Sequence, residues 1–359
     1  MIPGFATPAG TAAYRARLGP AAAAGHFRSW QGIELSSVGL GTYLGADDDA
    51  TDGQYVDAIR RALELGVNVV DAAINYRHQR SERSIGAALR RPIEAGRLRR
   101  EEVCLTTKGG FSAASQMDQY VRSGIVPPED VVGGIHAMTP RFLAAQLDLS
   151  RANLGVETVD VYYLHNPEMQ LSEVDRPTFW RRLRDAFGFL EGAVSDGKIR
   201  CYGTATWNGY RQPPEAPDFL SLPEVAGIAA EAGGAAHHFR VIQLPYNLAM
   251  TEAFTRVNQT MDGEPVSALE AARRLGIYVM TSASIYQGQL TRNLPAVISE
   301  FLPGLDTDAQ RALQFVRSTP NVGTALVGMK QRAHVQENAR VVSIPPIPWE
   351  QFQKLFAEG

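Results

Sequence analysis

From Val38 onward, short apolar runs alternate with longer stretches in which apolar side chains recur at helical spacing. The first pattern marks strands buried on both faces, the second amphipathic helices laid over them. Val38 to Tyr43 is the first candidate core strand. The stretch from Asp52 to Leu65 carries Val56, Ile59, Ala62 and Leu63 on one face, and Gly66 ends it. There follow the strand 67–71, a helix around Glu82 to Arg90, the strand Val103 to Lys108, the helix Pro140 to Leu154 and the strand Thr158 to Leu164. In the second half, helices Thr178 to Asp196, Pro223 to Ala232, Val266 to Leu275 and Thr307 to Ser318 precede the strands Ile199 to Ala205, Val241 to Leu244, Ile277 to Thr281 and Val322 to Val327. A last full helix spans Gln331 to Arg340, and Trp349 to Phe356 adds a terminal one.

Eight strand–helix units are the number that closes a parallel barrel, so the pattern predicts a (β/α)8 TIM barrel. A doubly wound sheet would alternate in the same way, but no G-x-G-x-x-G turn follows an early strand. His26 to Trp30 and Ile33 to Ser36, separated by Gln31-Gly32, read as an N-terminal β-hairpin ahead of the barrel. Residues 1–25 are rich in Ala, Gly and Pro without a sustained period and are expected to form a loosely ordered arm, leaving 26–359 as one barrel domain. Long strand–helix loops are expected at the C-terminal face; residues 109–138 are the longest and a candidate functional loop.

Composition narrows the class. A net charge of -3 and a pI near 6.2 give no electrostatic case for nucleic acid or an anionic membrane. No apolar run reaches the roughly 18 residues of a membrane helix, and Ala21 to Ala24 is too short for a signal sequence. Cys104 and Cys201 both sit in apolar strand-like runs, as reduced thiols do. A cytoplasmic enzyme is the expectation, with the oligomeric state left open.

Catalytic candidates fall at strand ends, where such barrels carry their chemistry. Asp71 ends the strand 67–71, Lys108 and His165 end two later strands, and Tyr76 follows Asp71 closely. Singly, Asp71 reads as a helix cap, Tyr76 as packing, Lys108 as a surface lysine and His165 as a strand cap. Together they suit proton transfer. A phenol with a pKa near about 10 becomes a better acid beside an ammonium, which Lys108 supplies and Asp71 holds. His165 then shares the oxygen of a carbonyl with Tyr76 as negative charge develops there. A Schiff-base role for Lys108 stays open, but leaves Tyr76 and Asp71 unexplained. One His and no Cys do not suit a zinc site, and no metal is expected.

The runs Gly66-Val67-Asn68-Val69-Val70-Asp71 with Tyr76, Thr106-Thr107-Lys108, and Val159 to His165 resemble the aldo-keto reductases, in order and spacing, and the likeness extends from the hairpin to Asn338. The resemblance implies Tyr76 as general acid, Lys108 and Asp71 as its tuning pair, and His165 as the group orienting the carbonyl. It also implies a nicotinamide cofactor extended across the barrel mouth, with Thr42, Asn166, Thr206, Gln243 and Ser282 at its nicotinamide end. Gln243 matches the glutamine that holds the carboxamide. In Tyr202 to Trp207, Ala205 and Thr206 stand where the family often has Ser and Asn, and Ser282 stands where many members place a stacking aromatic. The segment Gln287, Gly288 to Leu290 resembles the one that wraps the pyrophosphate. Gly328, Lys330, Arg332, His334, Glu337 and Asn338 resemble the adenosine-phosphate segment, where a helix N-terminus and two cations favour NADPH over NADH.

Tyr43, Phe111, Trp207 and Tyr246 follow strand ends and are expected to line the mouth for a small-molecule carbonyl substrate. The reading is an NAD(P)H-dependent reductase of aldehydes or ketones. Its rivals are the same site acting on an imine or on a sugar hemiacetal, and a cofactor-sensing subunit with little turnover.

Overall fold

The computed structural model describes residues 1–356, so the last three residues of the expected 26–359 domain lie outside it. The chain opens with α1 (Pro8–Leu18), then the hairpin β1 (Phe27–Trp30) and β2 (Ile33–Ser36). The first half of the barrel follows as β3 (Val38–Gly41), α2 (Asp49–Glu64), β4 (Val69–Asp71), α3 (Arg80–Glu94), β5 (Cys104–Gly109), α4 (Ala114–Arg122), α5 (Pro140–Leu154) and β6 (Val159–His165). Then come α6 (Arg176–Ser195), β7 (Ile199–Ala205), α7 (Leu222–Gly233), β8 (Phe239–Pro245), α8 (Glu252–Thr255), β9 (Val257–Met261), β10 (Glu264–Ser267) and α9 (Ala268–Arg274). The chain ends with β11 (Tyr278–Ser282), α10 (Ala296–Phe301), α11 (Asp308–Ser318), β12 (Thr324–Gly328), α12 (Arg332–Asn338) and α13 (Trp349–Phe352).

β3, β4, β5, β6, β7, β8, β11 and β12 close into one parallel barrel, the (β/α)8 TIM fold expected from the alternation. Its interior is filled unevenly. Tyr163, Tyr278 and Met280 are buried there; the Tyr278 ring lies where a Cβ on Gly323 would stand 2.1 Å from it, and Leu326 fills the space a Cβ on Gly39 would take. A Cβ on Gly203 would stand 1.9 Å from the carbonyl oxygen of Val241. The hairpin covers the N-terminal end of the barrel. Ser36 N donates to Asn68 Oδ1 (2.8 Å), Thr324 Oγ1 donates to the Ser36 carbonyl (2.8 Å), and the Trp30 ring lies 5.1 Å from that of Tyr278.

Residues 1–25 correct the expectation of a loosely ordered arm. Thr7 caps α1 through Gly10 N (3.0 Å), with Pro8 in its first turn. Tyr14 Oη donates to the Leu63 carbonyl (2.6 Å), and Arg17 grips Glu102 with both guanidinium nitrogens. Ahead of the helix, Ile2 N donates to the Gly155 carbonyl (2.7 Å) and Ala6 N to Asp160 Oδ1 (2.7 Å). The helix shows no apolar period because only Gly10, Thr11 and Tyr14 are buried. Gly10 must be small: a Cβ there would meet the Glu101 carbonyl oxygen at 2.3 Å.

Two other segments differ from the alternation. β9 and β10 form an extra hairpin around Asp262-Gly263, both at positive φ, as a two-residue turn requires. The segment 109–138 holds α4 and folds back on itself through the bridges Phe111 to His136 and Val132 to His136. Among the described residues no helix is long and apolar enough to cross a membrane.

His26 is fully buried between the hairpin and the barrel, with Nε2 donating to the Gly66 carbonyl at 2.8 Å. Burial first, and then the Arg317 charge, pull its pKa from 6.5 down to about 3. Between those values the unfolded chain binds a proton that the folded chain refuses, so this contribution is complete above pH 6.5 and is lost as pH falls. His26→Gln should therefore flatten the fall in stability between about pH 6.5 and about pH 5 by roughly 1.4 kcal/mol per pH unit. Urea titrations across that range check this; an unchanged slope would show that His26 is not buried neutral.

Candidate active site

Four side chains converge where β4, β5 and β6 end. β4 and β5 pair with Asp71 opposite Thr106, so Lys108, two residues on and on the same interior face, reaches back over the carboxylate. Lys108 Nζ donates to Asp71 Oδ2 (2.6 Å) and to the Ala72 carbonyl (2.7 Å). Asp71 Oδ1 accepts from Thr106 Oγ1 (2.6 Å) and Gln243 Nε2 (3.0 Å). The ammonium lies 4.8 Å from the centre of the Tyr76 ring. His165 closes the set, its ring 5.8 Å from that of Tyr76.

The turn after Tyr76 is unusual. Arg77, His78 and Gln79 all hold positive φ (49°, 48° and 71°), a region where side chains are disfavoured. Arg77 is buried and over-determines the turn, donating from Nε to the Ala46 carbonyl (2.9 Å) and from Nη2 to Asp52 Oδ1 (2.6 Å), with its guanidinium over Tyr55.

Charge states follow from burial and neighbours. Burial alone would lower the Lys108 pKa, but the Asp71 carboxylate and the Tyr76 phenol raise it overall, so it stays an ammonium. Burial lifts the Tyr76 phenol above its ordinary range of 10, and the pull of Lys108 only moderates that rise. The sequence chemistry expects the ammonium to prevail; desolvation is the larger effect. For His165, burial first and then Lys108 and His136 push the pKa far below 6.5, so the ring is neutral. Its Nδ1 is buried with no partner, and a proton there would be stranded. With the proton on Nε2, the neutral ring would leave only a lone pair unpaired at Nδ1 and turn its N–H toward the cavity.

Tyr76 and His165 open into a cavity of about 1060 Å³ that also exposes Asp71. Thr42, Asn166, Thr206, Gln243 and Ser282 line it beside the four side chains. Gln287 and Gly288 line its flank, and Gly328, Lys330, His334, Glu337 and Asn338 line it at α12. Two buried polar atoms among these, Thr206 Oγ1 and Asn338 Oδ1, have no hydrogen-bond partner in the protein. Unpaired groups of that kind fit a polar ligand running the length of the cleft.

Tyr43, Phe111 and Trp207 line the mouth, with Tyr43 4.9 Å from the Tyr76 ring. Tyr246 does not. It is fully buried, stacked on Phe315 at 5.6 Å, and its hydroxyl accepts from Thr319, because the residue after Pro245 turns away from the barrel axis. Arg332 also departs from expectation, being half exposed and 3.7 Å from Asp57 on α2. Leu290 is half-buried and absent from the lining, whereas its neighbours Gln289 and Thr291 belong to it. Sequence reasoning missed Thr106, whose same-face spacing to Lys108 was a usable signal. It also missed Leu44, Asn75 and Arg292, which line the cavity; Asn75 adjoins Tyr76, while Arg292 had no signal.

A cleft of this shape on a TIM barrel, with a phenol over a buried ammonium–carboxylate pair, defines a barrel oxidoreductase site. The family model described as "Aldo/keto reductase family" matches residues 37–293. The chain belongs to the aldo/keto reductase family. An NADH-specific methylglyoxal reductase of Escherichia coli is 26% identical over 277 residues, spanning 76% of this chain and 69% of its own. A putative voltage-gated potassium channel subunit beta of Schizosaccharomyces pombe is 23% identical over 330 residues, spanning 88% and 87%. Among solved structures, an aldo/keto reductase from Klebsiella pneumoniae in complex with NADP and acetate aligns with a TM-score of 0.62 at 22% identity, covering 91% of this chain and 93% of that one.

The ion pair makes its own prediction. With side-chain exposures of 1% and 5%, neither Lys108 nor Asp71 can lose its partner cheaply. Asp71→Ala should destabilise the fold by about 3 kcal/mol, and adding Lys108→Met should restore most of that. Urea unfolding of both variants checks it; equal stability of the single variant and the parent would contradict the pairing.

Proposed function

We propose that this protein is an NADPH-dependent reductase of aldehydes or ketones, reversible when oxidised cofactor is in excess. The observation that carries the reading is the buried Lys108–Asp71 pair beneath Tyr76, with neutral His165 facing the same cavity. Bound cofactor would supply hydride to the carbonyl carbon. Tyr76 Oη gives a proton to the carbonyl oxygen, and the Lys108 ammonium stabilises the phenolate left behind. His165 Nε2–H donates to the same oxygen and fixes its approach. Asp71, holding three donors, keeps the ammonium in place.

At the nicotinamide end, Thr206 Oγ1, Asn166 and the free Gln243 oxygen suit the carboxamide; Thr42 and Ser282 border it. At the other end Asn338 Oδ1 and Glu337 suit the adenine, while Gln287, Gly288 and Arg292 flank the path of the pyrophosphate. Lys330 lines the cavity and is the cation for a 2′-phosphate; Arg332, turned to Asp57, is secondary. NADH is the lesser alternative, in view of the NADH-specific relative.

Tyr76→Phe should lower turnover by about 10²-fold or more while leaving NADPH affinity near that of the parent, read by steady-state kinetics and fluorescence titration. Unchanged turnover would reject Tyr76 as the proton donor. Lys330→Ala should weaken NADPH about tenfold more than NADH, and equal weakening of both would reject the 2′-phosphate assignment. A sensing role is the second reading, supported by likeness to the potassium channel subunit. Tight NADPH binding with no oxidation by any aldehyde, ketone or keto sugar would favour it.

A further inference from the structure

Behind His165 lies a second histidine that the reading above does not use. His136 sits at the end of the 109–138 segment, fully buried, with Nε2 2.9 Å from the backbone carbonyl of His165 itself. Its other nitrogen, Nδ1, is 2.8 Å from Gln170 Nε2. The direction of these bonds is forced. Arg182 Nη1 donates to Gln170 Oε1, which leaves the amide nitrogen of Gln170 to face His136. Gln170 Nε2 therefore donates to Nδ1, and His136 must carry its proton on Nε2 and donate it to the His165 carbonyl. Arg182 is itself set by the same segment, donating to the Glu129 carbonyl (2.8 Å) and pairing with Asp130 (2.8 Å).

The rings are fixed as well. Phe111 lies between the two histidines, 4.8 Å from His136 and 5.0 Å from His165, edge-on to both. Gln146 clamps the strand end ahead of it, accepting from Gly110 N and donating to the Phe111 carbonyl, both at 2.7 Å. Gly110 has φ +124°, and a Cβ there would stand 3.1 Å from His136 Nε2, so the approach of the imidazole depends on that glycine. His165 has no hydrogen bond to its own ring; its Nδ1 is unpaired. What orients it is its backbone, followed at once by Asn166 in the left-handed region, and the Phe111 ring.

We propose that His136 is a positioning residue for His165, and that the 109–138 segment folds back to deliver it, with Gln170 and Arg182 fixing its tautomer. The proposal rests on the reading of His165 as the donor to the substrate oxygen. Loss of the bond to the His165 carbonyl frees the peptide at the strand end and lets the ring drift from the alignment hydrogen bonding needs. Because His136 touches neither substrate nor cofactor, the loss falls on kcat and spares cofactor affinity.

The test is His136→Leu and His136→Gln, the latter retaining an N–H where Nε2 stood, assayed for NADPH binding, for kcat and KM, and by 15N NMR of the histidine rings. His136→Leu should lower kcat by about tenfold or more at parental NADPH affinity and split the His165 ring signals between tautomers; His136→Gln should recover most of both. Should His136→Leu fail to fold, Gln170→Met, which removes the donor to Nδ1, should lower kcat in the same direction. A folded His136→Leu or Gln170→Met with parental kcat would overturn the proposal. So would equal loss in the Leu and Gln variants with unchanged His165 signals. The NMR arm needs no turnover, so a parent protein that reduces no carbonyl would sink the reductase reading while the ring signals still judge the brace.

Discussion

A desolvated ammonium is the constraint around which this barrel is arranged. Lys108 lies out of reach of water, and it is tolerable only because a carboxylate and a carbonyl oxygen meet it within 2.7 Å. That demand fixes the register of β4 against β5, places Thr106 and Gln243 on the other carboxylate oxygen, and brings Tyr76 over the charge. The phenol beside it remains weakly acidic in the resting protein, since burial outweighs the ammonium.

The parts of this arrangement that were legible in the sequence are those governed by period. Eight apolar runs counted correctly as barrel strands, and Asp71, Lys108 and His165 were placed at strand ends, where alternation and topology leave little freedom. Residues one step past a strand were less secure. Tyr246 and Trp207 both follow inward-facing strands, yet one is buried against α11 and the other opens on the mouth, a difference made by tertiary packing. Arg332 and Lys330 are equally basic, and only the contact of α12 with α2 turns the first toward Asp57.

Where no period exists, the pattern had nothing to say. α1 is held by a cap, one tyrosine hydroxyl, the Arg17–Glu102 pair and a glycine contact, none of which produces an apolar stripe. The Asp262-Gly263 turn carries a hairpin signal, but the strands it joins are short and largely polar and add no period to it. The 109–138 segment stands out in the sequence by length alone; its fold depends on Gly110 and on His136, which is bonded to the His165 carbonyl beyond the segment.

The anchoring of the N-terminus has a consequence for the order in which the molecule is assembled. Ala6 finds its hydrogen-bond partner 154 residues later, at Asp160, and Ile2 is bonded to the residues just before β6. On a ribosome, Ala6 must wait for the 154 residues that lead to Asp160 before that bond can form. Asp160 meanwhile also receives Leu105 N and Arg100, so the same carboxylate knots β5, β6 and the N-terminus together at one moment. The N-terminal segment is thus a late clasp on a half-built barrel, and a shortened chain would leave a buried aspartate short of a donor it was placed to receive.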